Sequence, residues 1–386
     1  MQDKMKTEAI VSDASAAPVE NHFASAYRVL ADAIAARAFP GCAFGVFADG
    51  KVVLQDALGR STYDSDSFEV VAETVYDVAS ITKVVATTAS AMLLTQRGTL
   101  DVDTPLGELL PGFVVGRALG ERAREVTLRH LLAHNSGLPG YVELFRTAST
   151  ADGLLRACLQ MPLEAAPGTR TEYSDLGFIL LGKALEVLTR ESLATWSQRE
   201  VFDRLQLTAT GFIPAPRTRT LIPPTENDTA FRQRRIQGEV QDENAWVLKG
   251  VAGHAGVFSN VPDLLRFAGA ILGAGRSIGN EDTVIEPLYS KSVVERFAMR
   301  QRPEGSSRAL GWDTPSENSS AGHLFSGRSI GHLGYSGCSL WIDLDAEIAV
   351  ALLANRTWPD RSNQLIREVR PAFHDAIRGA LGSIEK

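Results

Sequence analysis

The chain has 386 residues and a formal net charge of −7. That acidic balance, without a Lys/Arg stripe, argues against a nucleic-acid surface, and the apolar content is ample for a sizeable core. Cys42, Cys158 and Cys338 lack metal-ligand spacing and make no disulfide framework, and no apolar run is long enough to span a membrane.

Residues 1–19 are polar and mixed in charge and read as a flexible arm. Ala14-Ser15-Ala16 looks like a cleavage site, but no apolar signal core precedes it. The chain as written is expected in the cytoplasm; a misassigned start or a removed leader would make it periplasmic or secreted. Apolar residues at helical spacing predict a helix from Asn21 to about Ala38, ended by Pro40-Gly41. Cys42–Ala48 and Lys51–Leu58, joined by Asp49-Gly50, predict a hairpin. Next comes an apolar helix that starts around Ser80 and closes at Gly98. From Leu100 to Val261 the chain reads as helical with Pro/Gly-rich connections, including helices over Leu128–His134 and Asp175–Thr189. Arg232-Gln233-Arg234-Arg235 reads as a solvated face. Ser339–Ile342 and Ile348–Ala354, separated by Asp343–Glu347, predict a second hairpin, and a last helix follows from about Arg361 to Leu381. Hairpins near both ends predict one antiparallel sheet built from both, with helices packed on it. The expected unit spans 20–383, its sheet region about 20–85 plus 262–383 and its helical insertion about 86–261.

Ser80-Ile81-Thr82-Lys83 carries the first chemical signal. Residues three apart share a helix face, so the hydroxyl and the amine can lie side by side. A lysine in an apolar site loses some preference for its charged form and can help remove the serine proton. The tetrapeptide alone is weak: Ser383-Ile384-Glu385-Lys386 matches it too, and Ser80 could simply cap the helix. Downstream lie Tyr173-Ser174-Asp175, before an apolar helix, and His332-Leu333-Gly334, before a strand.

In this order the three motifs resemble the penicillin-recognising serine hydrolase superfamily, which includes class C β-lactamases, D-alanyl-D-alanine peptidases and related esterases. Leu131–Pro139 and Gly250–Ser259 resemble the same group. The resemblance, over roughly residues 25 to 380, implies a β-lactamase/transpeptidase-like α/β (α+β type) fold. It implies Ser80 as nucleophile, Lys83 as its proton-handling partner and Tyr173 as the proton shuttle to the leaving group. A phenol titrates near ~10 and becomes a base only where a cation lowers that value; Lys83 is the expected cation. The oxyanion donors would be the N–H groups of Ser80 and Tyr335. Asp175, His332 and Gly334 are the expected substrate contacts, with Gly334 allowing close approach to its strand; His254, in a glycine-rich loop, is expected either to contact substrate as well or to serve the turn.

Two positions depart from the pattern. Relatives that bind β-lactams usually carry Asn at the place of Asp175 and Lys at that of His332. An ionised carboxylate cannot donate to a substrate amide, and a neutral imidazole is no fixed cation for a substrate carboxylate. Both favour carboxylic esters as substrates, with no cofactor and no metal. The alternatives are D-alanyl-D-alanine carboxypeptidase or β-lactamase chemistry on the same residues, or a non-catalytic binder of this fold. The expected partner is a small ester or amide; oligomeric state is not legible.

Two competing motifs fail on context. Gly327-Arg328-Ser329-Ile330-Gly331 matches a nucleophile elbow, with Asp345 or Asp360 and His374 in the right order, but its serine leads into a strand where a helix is required. His130 and His134 have zincin spacing, but Leu131 stands at the glutamate position. They read as core or capping histidines, and Cys338 as a packed thiol.

Overall fold

The computed structural model describes residues 22–117, 122–276 and 287–382, with the backbone of 278–280 and 283–285. The predicted arm and the Ser383–Lys386 motif lie outside the described residues.

Asp49 and Gly50 both take positive φ, 52° and 72°, the twist that a two-residue hairpin turn requires. They fold Gly41–Ala48 back onto Lys51–Gly59, with Ala48 opposite Lys51. The C-terminal strands Ile330–Leu333, Ser339–Asp343 and Ile348–Ala354 complete a five-stranded antiparallel sheet. Its two halves join where Cys42 lies opposite Ala354 and Phe47 opposite Ala349. One sheet is thus assembled from both ends of the chain, as the hairpin signals predict.

The three interior strands, Ser339–Asp343, Ile348–Ala354 and Gly41–Ala48, are buried along their whole length because helices cover both faces. Alternation divides their side chains. Phe44 and Val46 pack with Phe23 and Leu30 of the N-terminal segment and with Phe373 and Ile377 of the C-terminal helix Ile366–Gly382. Ala43 and Phe47 belong to the larger core beyond the other face, which includes Val261 and Leu265. The helix Val261–Leu272 lies so close there that a Cβ at Gly45 would come within 2.7 Å of Val261.

Between the sheet halves lie helices, Asp175–Thr189 the longest of them, and short strand pairs such as Glu226–Asp228 with Arg234–Ile236. The Arg232–Arg235 run is not one solvated face. Asp228 accepts the N–H groups of Ala230, Phe231 and Arg232, and the Arg232 side chain pairs with it in the interior. Arg234 and Arg235 are exposed.

Candidate active site

The short strand Tyr76–Asp77 pairs with Val257–Ser259 and delivers the chain to Ser80. Ala79, just before it, has φ 48°, a left-handed conformation that costs a non-glycine residue roughly 1–3 kcal/mol. The buried Asp77 carboxylate braces this turn by accepting the N–H groups of Ala79 (2.9 Å) and Gln241 (2.7 Å). The predicted regular helix does not start here. A single 3₁₀ turn, Ala79–Ile81, leads into wide π-helical turns at Lys83–Thr88, and α-helix begins only at Ala89. Such turns recur at functional sites. Thr82 Oγ1 accepts the Val257 N–H, and Thr87 Oγ1 donates to the Gly253 carbonyl at 2.7 Å.

Lys83 is fully buried, and its three ammonium hydrogens have three acceptors: Ser80 Oγ at 2.9 Å, Asp175 Oδ1 at 2.6 Å and the His254 carbonyl at 3.1 Å. Burial alone would push the amine toward neutrality. The charge and hydrogen bond of Asp175, helped by Tyr173, outweigh it and hold Lys83 above its ordinary value. The expectation of a lysine with a weakened charge is therefore overturned, because Asp175 neutralises the cation in place. Asp175 faces Lys83, where it was expected to meet substrate.

Ser174 caps the helix that begins at Asp175, accepting the Gly177 N–H and donating to the Pro139 carbonyl. The same cap fixes Tyr173 beside Lys83, whose Nζ lies 4.8 Å from the centre of its ring. Burial raises the phenol above its usual value, although Lys83 and Ser80 draw it back down. Tyr173 therefore rests as the protonated phenol, and Lys83 does not lower it on balance. His134 stacks between Tyr173 (4.6 Å) and Phe178 (4.9 Å) and accepts the Ser174 N–H on Nδ1. Burial and the nearby cations Arg308 and Lys83 keep it neutral, so its Nε2 carries the proton. Its partner in sequence, His130, closes a capping box with Thr127. The core and capping readings of both histidines hold.

The third segment arrives on the strand Ile330–Leu333. His332 is buried, 5.9 Å from the Tyr173 ring, and its Nδ1 meets the Leu333 carbonyl at 2.8 Å. Burial first, then Lys83 and Arg308, drive its pKa well below the usual value. The neutral ring donates from Nδ1 and presents Nε2 as an acceptor without a protein partner. Gly334 makes its close approach to protein: a Cβ there would sit 2.4 Å from the Val78 carbonyl oxygen. Tyr335 follows, half exposed, held by Arg356, which donates to its carbonyl at 2.9 Å and lies over its ring. Ser336 Oγ then donates to the Asp77 carbonyl at 2.7 Å. Among the described residues, the backbone N–H groups of Ser80 and Tyr335 donate to no protein acceptor. That leaves both available to an oxyanion.

His254 enters differently from its expected role. Its carbonyl holds Lys83, while its buried ring turns to Asp242, with Nε2 2.8 Å from Oδ1. Arg308, which carries no motif, lies 5.1 Å from the Tyr173 ring, near Asp313. Asp77, Gln241 and Ser336 also escape sequence reading, since each acts through a long-range contact. The competing motifs dissolve: Ser329 is buried, Asp360 caps Ser362, Asp345 pairs with Arg328, and the His374 ring meets Ser339 and the Ser320 carbonyl. Cys338 is packed, its thiol pushed up to about 11 by burial. Among the described residues, no group of three or more His, Cys, Asp or Glu is arranged to hold a metal.

Comparison with known proteins places the whole chain. The sequence is 29% identical over 352 residues to an N-acetylmuramyl-L-alanine amidase of Bacillus subtilis (strain 168), covering 83% of this chain and 78% of that protein. It is 28% identical over 353 residues to a Salmonella typhi protein named "Putative D-alanyl-D-alanine carboxypeptidase", covering 82% and 79%. In structure it resembles EstCE1, a hydrolase with promiscuous acyltransferase activity (TM-score 0.73, 21% identity, 93% of this chain and 100% of that one). It also resembles the octameric penicillin-binding protein homologue from Pyrococcus abyssi (TM-score 0.69, 21% identity, 93% and 77%). These two likenesses concern the fold. The Beta-lactamase family model matches residues 26–371, and the chain belongs to this family of β-lactamase-related serine hydrolases.

Proposed function

We propose that the protein hydrolyses carboxylic esters through an acyl-enzyme formed on Ser80. The observation that carries this reading is the 2.9 Å contact between Ser80 Oγ and the buried Lys83 Nζ, with Tyr173 beside both. Ser80 Oγ attacks the ester carbonyl as its proton passes into the hydrogen-bonded group of Lys83 and Asp175, and the developing oxyanion is held by the Ser80 and Tyr335 amides, donors fixed in advance of the reaction. Tyr173, a phenol at rest, protonates the departing alkoxide and is refilled from Lys83. Water then attacks the acyl-enzyme by the reverse path and frees Ser80. Neutral His332 adds no charge at the substrate, which suits an uncharged ester.

A second reading keeps the same machinery for D-alanyl amides or β-lactams. Arg308 supports it, because its guanidinium beside Tyr173 is a permanent cation where His332 supplies none. Hydrolysis of p-nitrophenyl butyrate, nitrocefin and a D-alanyl-D-alanine peptide, each with Ser80→Ala as control, separates the two. Fast Ser80-dependent ester cleavage with little turnover of the others is expected. Efficient peptide or nitrocefin turnover would put the second reading first, and full ester activity in Ser80→Ala would refute both. A fluorophosphonate adduct on Ser80 is expected as well; no labelling would favour a non-catalytic binder.

A further inference from the structure

We propose that Asp175 is the proton acceptor behind Lys83, so that the Lys83–Asp175 pair works as one base toward Ser80. The inference rests on Ser80 as nucleophile and goes beyond it by assigning the group that makes the lysine basic.

At rest, neither neighbour of Ser80 is a base. All three hydrogens of the Lys83 ammonium are engaged, so Nζ has no lone pair for the Ser80 proton. Tyr173 holds its own proton, and the Asp175 charge is one reason why. The ionised base within reach is Asp175 itself, 2.6 Å from Nζ, its side chain 16% exposed. Other titratable or charged groups face the pair. Asp242 is occupied by the His254 ring and the Ala245 N–H. His134 and His332 are neutral, and Arg308 cannot accept a proton.

The step balances. A proton passes from Nζ to Asp175 Oδ1 along their 2.6 Å contact, leaving a neutral amine and a carboxylic acid that exist only transiently, since the ion pair is the resting state. The amine lone pair takes the Ser80 proton as Oγ bonds to the carbonyl carbon and the π pair moves onto oxygen. When the tetrahedral species collapses, the C=O reforms and the leaving group departs with the Tyr173 proton. Tyr173 is refilled from Lys83, and Lys83 from Asp175. The ion pair is restored, with the serine proton now on the leaving group.

An acceptor of this kind makes the acid limb of the reaction belong to the carboxylate in the pair. With Asn at 175, only a deprotonated lysine can serve, and the limb then follows the lysine. A purely structural Asp175 would scale the rate by the same factor at every pH. The experiment is the pH profile of fluorophosphonate labelling at Ser80 and of kcat/KM for p-nitrophenyl butyrate, in wild type, Asp175→Asn, Asp175→Glu and Ser80→Ala. For Asp175→Asn we expect the acid limb to move up by about one unit or more. Its rate near pH 5 should fall about 100-fold, with recovery toward wild type at alkaline pH, an effect the size of one general base. Asp175→Glu should return the limb toward its original position. An unshifted limb, or a uniform loss at every pH, would overturn the proposal. Ser80→Ala reports separately: labelling or turnover that survives it refutes the nucleophile and not the proton path. Should Asp175→Asn fail to fold, the ¹⁵N shift of Lys83 Nζ in wild type decides. An ammonium near pH 7 is required, and a neutral amine there overturns the inference.

Discussion

Ser336 Oγ donates a 2.7 Å hydrogen bond to the carbonyl of Asp77 and so ties together two turns 259 residues apart in sequence. One turn carries Ser80 and the other Tyr335, the two backbone donors of the proposed oxyanion hole. The tie is buried, and Gly334 packs against Val78 beside it. Removing the hydroxyl in Ser336→Ala leaves a buried carbonyl with one partner fewer, at a cost of about 1–3 kcal/mol. The donors would then drift relative to each other. Because an oxyanion forms only during reaction, kcat should fall about 10-fold or more, with KM little changed. Steady-state kinetics alongside thermal melting would check this. A loss of stability without a loss of kcat would mean that the tie holds the fold but not the donors.

Asp77 gives a test of stability against pH. Burial lifts its carboxyl from 3.8 to about 6 despite the amides it accepts. Because the folded value lies above the unfolded one, Asp77 favours folding most at low pH, and that contribution is lost as pH rises through about 6. Asp77→Asn removes both the titration and one of the two acceptors. The variant should be less stable than wild type, and the gap should be about 1 kcal/mol wider near pH 5 than near pH 7.5. Denaturant unfolding at the two values would show it. A gap that widens with rising pH would contradict a raised carboxyl.

Arg308 is the test of charge selection. It lies beside Tyr173, while His332 stays neutral across the working range. Arg308→Gln should lower kcat/KM for carboxylate-bearing substrates about 10-fold or more, a charge-assisted contact being worth roughly 1.5–3 kcal/mol. Neutral esters should change little. His332→Lys adds a second cation and should raise activity on the anionic substrates. Equal losses on both substrate classes in Arg308→Gln would remove the guanidinium from substrate recognition.

The sheet was legible because turn chemistry is local: Asp49-Gly50 dictates its hairpin whatever surrounds it. Ser80, Lys83, Tyr173 and the 332–335 segment stand out as candidates because each sits in a short local motif, and the fold brings them near one another. What was not legible depends on pairing at a distance. Asp175 reads as a substrate contact until Lys83, 92 residues away, is seen to take its charge. Arg232 reads as solvated until Asp228 folds a turn around it. Arg308 sits in a polar loop with no local pattern, and the wide turns after Lys83 have no sequence marker. Burial weakens the charge of a lysine that stands alone, but here Lys83 is one half of an ion pair.

His134 tests whether Tyr173 is held by its neighbours. Its Nδ1 accepts the Ser174 N–H at 2.9 Å, and its ring stacks on Tyr173. His134→Phe keeps an aromatic ring there but leaves the buried Ser174 amide without an acceptor, which costs about 1–3 kcal/mol. The cap of the Asp175 helix would loosen and Tyr173 would lose its stacking partner, while Lys83 still holds Asp175, so kcat should drop together with stability. Because His134 is already neutral at ordinary pH, the shape of the pH–rate profile should not change. His134→Asn retains an acceptor on a shorter side chain and should recover part of the stability. A pH profile reshaped by His134→Phe would show instead that this imidazole exchanges protons with the site.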